Sequence, residues 1–550
     1  MKRVLILILN ITLAACGRDG GSGASQTSVI SAFDPLAQAV ASTGTIRNPD
    51  AVVPSQCYTK TNGVSNPCWT CHTSRNGKNF LDDAQLQEKY AFKRGGMTNQ
   101  WDNLFKDRSA VIASIGDDQA LAYVRQDNYS ALRDNLKARS DYPGWRPDLD
   151  FSKGFDDDGF ARDGSGWRAF RYKPFPGTFW PTNGSTDDDI IRLPRVFYTD
   201  AQGKESREIY KANLAILEAA LAVSDTVPDD QLVRRIEPVD EAAIGMDLDG
   251  DGKVAGKASV IRGLPPHYVG GAGGVGVTRH LYPLNTEFLH TVRYIDPDSP
   301  NLISQRMKEV RYAIKVKFLV GDDLDWEYKE ERAEDKSDDP PTYGGTPTTG
   351  MLSPFGWRLQ GFIEDAQGRL RLQTHEEHQF CMGCHSTIGV TVDQTFGFPR
   401  KVPGAAGWGY QSLAGIPDAP QAGHKDPEIL EYFRRVQGGD EFRSNTEVLE
   451  RYFPAGKLDE AKVRAASDVR ELITPSRARA LALDKAYMAL VRQQDFAHGR
   501  DAVAQPATNV YKQIVNGDTG LKKNHAIYTD GRMWLDWPAP APAAQQARNP

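Results

Sequence analysis

Trp357-Arg358-Leu359-Gln360-Gly361-Phe362-Ile363 is followed, after Glu364, by Asp365-Ala366-Gln367-Gly368 and then by Arg369-Leu370-Arg371-Leu372-Gln373. Two apolar-alternating runs around an Asp/Gly turn predict a β-hairpin. The chain then runs through Thr374-His375-Glu376-Glu377-His378 into Cys381-Met382-Gly383-Cys384-His385. His375 and His378 sit three apart and can share one helical face, as can Cys381 and Cys384. A hairpin that delivers the chain into a helical turn makes the class α+β.

Upstream, Arg311 to Val320 alternates as a strand through Tyr312, Ile314, Val316, Phe318 and Val320, and the segment around His290 is apolar and β-branched enough for another. Glu205 to Val223 has the period of an amphipathic helix, as does Asp117 to Arg139. Asp322 to Asp339 reads as a charged linker. Leu458 to Phe496 predicts two antiparallel helices interrupted at Pro475. Residues 145–180 are dense in aromatics from Trp145 to Trp180, with Gly and Pro interleaved, so they predict a packed, loop-rich segment for core packing or for lining a groove.

The chain has 550 residues, of which 40% are hydrophobic, with 50 glycines. Such a chain supports a sizeable core and two to four domains. Mean hydropathy is −0.51, and no internal apolar run approaches the roughly 18 residues of a membrane span, which excludes a polytopic membrane protein. With 66 basic and 72 acidic residues, net −6, no basic surplus exists for binding nucleic acid.

Six cysteines carry the chemistry. Cys68-Trp69-Thr70-Cys71-His72 and Cys381-Met382-Gly383-Cys384-His385 both read C-x-x-C-H, the pattern of covalent c-type haem attachment. Two thiols on one helical turn reach the two vinyl groups of a porphyrin, and the next residue turns its imidazole to the iron. The alternatives are a zinc site and a dithiol redox pair, but zinc needs a fourth ligand, and neither motif has a second Cys/His pair at finger spacing. Two haems are therefore expected, with His72 and His385 as proximal ligands. Distal candidates are His290 first, then His280 and His378, with Met97 and Met351 as methionine candidates. Cys57 is left over, as a buried thiol or a sulfur near the iron.

Asp247-Leu248-Asp249-Gly250-Asp251-Gly252 matches the first half of a calcium loop, with Asp247, Asp249 and Asp251 as ligands. The acid expected at position 12 is replaced by Ala258, so calcium would need other oxygens.

The N-terminus supplies the compartment. Lys2 and Arg3 precede a short apolar stretch, the layout of a secretory signal peptide. The stretch ends in Leu13-Ala14-Ala15-Cys16-Gly17, which resembles the bacterial lipobox; that resemblance implies cleavage before Cys16 and a lipid on it. A Gly/Ser-rich tether follows. With both motifs, the chain resembles a bacterial lipid-anchored di-haem c-type cytochrome. The resemblance rests on two pentapeptides and the lipobox, and not on the intervening chain.

The segments expected are a signal peptide (1–15), a lipidated Cys and tether (16–50), a first haem region (51–145), an aromatic-rich, β-containing insert with the calcium loop (146–350), a second haem region (351–415), a C-terminal helical region (416–537) and a disordered tail (538–550). The haem regions are expected to be mostly helical and loop-rich around a mixed, β-containing insert. No G-x-S-x-G, H-E-x-x-H or phosphate-loop motif is present. The expected function is electron transfer with periplasmic redox proteins from a lipid anchor at the periplasmic or outer-membrane surface of a Gram-negative bacterium. The alternative is a di-haem oxidoreductase, similar to cytochrome c peroxidases, with one open haem acting on peroxide or another small substrate.

Overall fold

Eight antiparallel strands form the central sheet, in the order β1-β2-β5-β6-β9-β8-β7, with β10 also paired to β9. The strands are β1 (Arg168–Phe170), β2 (Thr186–Arg192), β5 (Glu287–Ile295), β6 (Ile303–Lys315), β7 (Gly344–Thr346), β8 (Gly350–Leu352), β9 (Trp357–Glu364) and β10 (Leu370–Leu372); β3 (Val233–Asp240) and β4 (Lys257–Arg262) form a separate two-stranded sheet. This computed structural model describes residues 33–60, 67–75, 79, 81–224, 226–337, 343–385, 388–436, 445–519 and 533–538. The signal peptide, residues 16–32 with Cys16, and the tail beyond residue 538 lie outside the described residues. Residues 35–550 form one unit; of the separate unit 1–34 only Phe33 and Asp34 are described.

The architecture is α+β, and the hairpin expected at Trp357 is β9–β10, with Leu370 opposite Glu364 and Leu372 opposite Phe362. Asp365 closes its turn by accepting from the backbone N–H groups of Gln367 (2.9 Å) and Arg369 (2.8 Å).

Alternation along the strands gives the large sheet two faces. Ile190, Leu289, Val310 and Phe362 point to one side, where they pack with Leu132 and Leu136 of the helix Tyr129–Ala138 and with Trp167. Asp189, His290 and Arg311 point to the other, together with Phe288, Ala313 and Leu359. Over part of this second face lies the helix Arg207–Leu221, capped by Ser206 and buried through Leu214, Ile216 and Leu217. Each such aliphatic side chain contributes about 1.5–3 kcal/mol through burial. Arg168 of β1 joins the two sheets by a bidentate pair with Glu237 of β3 (2.6 and 2.8 Å).

Three expected elements differ. The single helix over Asp117–Arg139 is two, Asp117–Val124 and Tyr129–Ala138. The first stops at Val124, and Asp127 helps to start the second, because its carboxylate accepts from the N–H groups of Tyr129 (2.8 Å) and Ser130 (3.2 Å). The charged linker is the helix Asp322–Ser337. Its Leu324 and Tyr328, one turn apart, are buried with Phe355, so tertiary contact stabilises a run whose charge density reads as solvated. The strand expected to reach Val320 stops at Lys315; Val316 and Lys317 instead donate to the carbonyl of Gly356 (2.8 and 3.1 Å). Pro475 does break the C-terminal helical run, between Val469–Ile473 and Arg477–Gln493.

Candidate functional site

The first motif begins on a 3₁₀ turn, Pro67–Thr70. The carbonyl of Cys68 accepts from the N–H groups of Cys71 (3.1 Å) and His72 (2.7 Å), which winds the pentapeptide into one turn. Trp69 anchors it as a buried ring with the Arg435 guanidinium 4.2 Å from its centroid. His72 is oriented by Asp83, whose carboxylate lies 2.7 Å from Nδ1 and also accepts from the Thr73 N–H (2.9 Å).

The second motif ends the helix His375–Cys384. Thr374 and Glu377 form a capping box, and Glu377 is held by a bidentate pair with Arg371 (2.9 Å for both bonds). Cys381 and Cys384 lie one turn apart, and the His385 N–H donates to the Cys381 carbonyl (3.1 Å). His385 Nδ1 donates to the carbonyl of Gln394 (2.8 Å), leaving Nε2 as the lone-pair nitrogen. Burial pushes His385 down to about 4, so it is a neutral imidazole. A carboxylate on one proximal candidate and a carbonyl on the other are the partners that orient metal-ligating histidines.

The two motifs, 313 residues apart in sequence, open on one cavity of about 280 Å³. Cys68, Cys71, His72, Cys381, Cys384 and His385 all line it, and so does Cys57. The motif loops interlock. Asn79 donates to the Ile388 carbonyl (2.5 Å) and to that of Thr391, and Gly389 packs on Thr73 and Asp83. Burial pushes the Cys68 and Cys71 thiols up to about 12 and Cys384 up to about 11. Cys57 is raised well above the usual thiol range by burial and then by Cys68, Cys71 and Cys384, which places the leftover sulfur among the motif sulfurs.

The sheet supplies the opposite wall. Asp189 faces His290 across β2 and β5, and His290 faces Arg311 across β5 and β6. Two residues along, Glu309 pairs with Arg311 (2.8 Å) and with Arg500 (3.1 Å). Burial would raise Glu309, but the two guanidinium groups outweigh it and hold it below the usual carboxylate range. Asp189, which faces the cavity, is raised well above that range by burial and by Asp187 and Asp188. His290 Nε2 is buried without a hydrogen-bond partner, 3.4 Å from the Asp187 carboxylate, and its ring meets Phe179 edge-on at 5.3 Å. An orphaned imidazole nitrogen in a cavity of thiols and histidines suits an axial ligand.

The other distal candidates are placed differently. His378 lines the cavity, but its Nδ1 is bonded to the Thr374 carbonyl (2.8 Å) and its Nε2 accepts from the Gly361 N–H (2.9 Å), so both nitrogens are in use. His280 lies outside the cavity lining, with Nδ1 3.3 Å from the Leu221 carbonyl and its ring stacked on Trp534. Met97 and Met351 belong to core clusters and do not line the cavity.

In the calcium loop, Asp247 and Asp249 gather with Glu241, their ligand oxygens within 4.8 Å of one another; Asp251 is not in this group and bonds the Lys253 N–H (2.8 Å). Glu241, from a neighbouring element, was not legible in the loop pattern. Among the described residues this is the group that could hold a cation by proximity. Among the described residues the motif cysteines and histidines do not converge so tightly. The Asp189–His290–Arg311 row was also missed; its signal was the alternation of Thr186–Arg192 and of the strand carrying His290.

This geometry defines an α+β protein whose two C-x-x-C-H motifs share one cavity. The chain belongs to a lipoprotein family: a model of that family matches residues 40–471. A relative from Aquifex aeolicus (strain VF5), described as an uncharacterized lipoprotein, is 32% identical over 517 residues, covering 82% of this chain and 86% of its own. No solved structure matches. The expected membership among di-haem c-type cytochromes is thereby corrected. The family and the relative are described as lipoproteins, and neither description names a cytochrome or a haem. The physical reason is one of scale: two pentapeptides and a lipobox are short local signals, whereas the match spans most of the chain. Among the described residues no helix is long and apolar enough to cross a membrane.

Proposed function

We propose that this lipoprotein carries two covalently attached haem groups and transfers electrons between exported redox proteins at a membrane surface. The observation that carries the reading is the convergence of both motifs on one cavity. Cys68 and Cys71 would hold one group with His72 as axial ligand, and Cys381 and Cys384 the other with His385. His290 is the distal candidate best suited by its position. When bound, the groups supply one-electron chemistry at the iron. The chain's own part is to orient the imidazoles through Asp83 and Gln394 and to exclude water with Phe175, Phe288 and Phe396. The attachment sites are a 3₁₀ turn and the end of an α-helix, and the sheet beside them draws strands from the insert and, through β9 and β10, from the second motif's own region.

Cys16 would tether the body to the periplasmic side of a membrane or to the outer membrane of a Gram-negative bacterium, in reach of periplasmic redox partners. The test is production in a host able to mature covalent haem. Mass spectrometry should then show two haem additions, one lost in Cys68→Ala/Cys71→Ala and the other in Cys381→Ala/Cys384→Ala. A haem-free mass in that host would reject the reading.

One observation favours a second reading, catalysis on a small oxidised substrate. Asp189, a buried acid raised well above the usual carboxylate range and paired across the strands with His290, would serve as a proton donor that a pure electron carrier does not need. An optical spectrum that shifts on adding peroxide supports this reading, and a spectrum indifferent to peroxide supports the carrier.

A further inference from the structure

Three tyrosines run in series from the cavity toward the surface. Tyr487 lines the cavity and its buried hydroxyl has no hydrogen-bond partner. Its ring meets that of Tyr294 edge-on at 5.4 Å between centroids, and Tyr294 meets Tyr123 in the same way at 5.7 Å. Tyr294 is fully buried, and Tyr123 is half-buried on the helix Asp117–Val124.

The second and third members, Tyr294 and Tyr123, share one carboxylate. Tyr294 donates to Glu364 Oε2 at 2.5 Å, and Tyr123 donates to Oε1 at 3.1 Å. Arg306 bonds the same Oε1 (3.1 Å) and stacks on the Tyr123 ring at 3.8 Å. Packing alone would place three rings together. It does not explain why two phenols meet the two oxygens of one buried acid while the third ring faces the cavity.

We propose that Tyr123, Tyr294 and Tyr487, with Glu364 as the proton acceptor shared by Tyr123 and Tyr294, form a relay that moves single electrons between the surface and the cavity. This rests on the haem reading for the identity of the cavity oxidant. Tyr294 loses one electron across the Tyr487 ring to the one-electron oxidant held in the cavity, and its phenolic proton passes to Glu364. Tyr123 then gives one electron to the Tyr294 phenoxyl, which takes its proton back from Glu364, while the Tyr123 proton moves to the other oxygen of the same carboxylate. A one-electron reductant at the surface refills Tyr123, which recovers that proton. One electron crosses and no proton is consumed. The proton shift also keeps each intermediate a neutral phenoxyl. That matters because the Lys308 ammonium, 5.0 Å from the Tyr294 ring and 4.2 Å from that of Tyr487, disfavours a cationic ring.

The test uses the full protein with flash-generated tris(bipyridine)ruthenium(III) as a soluble one-electron oxidant. With the oxidant at the surface the same relay runs in reverse, Tyr123 oxidised first and the cavity haem supplying the electron; time-resolved absorption follows oxidation of the reduced cavity haem, and electron paramagnetic resonance follows phenoxyl formation. Tyr294→Phe keeps the ring and removes the proton step, so haem oxidation should slow roughly tenfold. The phenoxyl difference spectrum between wild type and this variant should report the hydrogen-bonded Tyr294. Glu364→Gln should lower that phenoxyl yield. A wild-type oxidation rate in Tyr294→Phe with an unchanged melting temperature overturns the relay. Should either variant fail to fold, Tyr123→Phe at the half-buried end repeats the rate measurement under the same criterion. Preparations free of haem by mass would defeat the haem reading, while the phenoxyl difference spectrum would still decide the relay.

Discussion

Gly383, inside the second motif, lies against the carbonyl of Val52, so close that a β-carbon on Gly383 would stand 2.0 Å from that oxygen. A residue ahead of the first motif is thus pressed onto the turn that carries the second. The contact leaves no room for any side chain, although the position is helical and Ala would otherwise gain about 1 kcal/mol over Gly there.

Gly383→Ala should therefore destabilise rather than stabilise, by about 1–3 kcal/mol or more, because backbone must move to relieve the clash. Thermal unfolding of wild type and variant checks the sign. A rise in melting temperature would show that the segment around Val52 yields freely.

His290→Ala removes the orphaned imidazole from the sheet wall. If His290 ligates an iron, one of two low-spin haem spectra becomes high-spin, and the protein folds as before because the ring makes few other polar contacts. Two unchanged low-spin spectra would reject this ligand.

Glu428 is fully buried between Arg400 and Lys173 (2.5 and 2.6 Å). Burial would raise its acid, but the two cations outweigh it and bring it down to about 2. The unfolded chain binds that proton more tightly, so the group stabilises the fold above the ordinary Glu range near 4.5 and loses this as pH falls toward 2, by about 3 kcal/mol. Glu428→Gln should cost about 3–5 kcal/mol at neutral pH by leaving the buried Arg400 without its carboxylate and Lys173 with Asp418 alone (2.8 Å). Its denaturant midpoint should also lose most of its decline between pH 4.5 and 2.

Glu364 has the opposite sign. Burial raises it to about 7 against the hydrogen bonds of Tyr294 and Tyr123 and the charge of Arg306. Here the folded chain holds the proton more tightly. The contribution is complete below about 4.5 and is lost as pH rises to 7, again by about 3 kcal/mol. Glu364→Gln should flatten the stability curve between pH 4.5 and 7, and an unchanged slope there would assign the decline to other groups.

Local chemistry was legible wherever the deciding contacts were near in sequence. The β9–β10 hairpin follows from the Asp365 turn, the second motif's helix from the Thr374/Glu377 box, and the break at Pro475 from proline itself. The helix at Asp322 was illegible because its stabilising partner, Phe355, lies far along the chain. The third acid beside Asp247 and Asp249 was missed for a different reason: Glu241, though near in sequence, stands outside the loop pattern, on the short helix before it.

The sequence by itself determined which atoms can do chemistry: two Cys pairs, each three positions apart and followed by His, and a terminal stretch around Cys16 that resembles a lipobox. Only the tertiary structure decided that both pairs face one cavity, that His290 and not His280 looks into it, and that Asp189 and Arg311 flank it. Spacing within a turn is set by bond lengths and a few torsions. Convergence over 313 residues is set by strand register and by which face of the sheet the core leaves open, and these are properties of the whole fold.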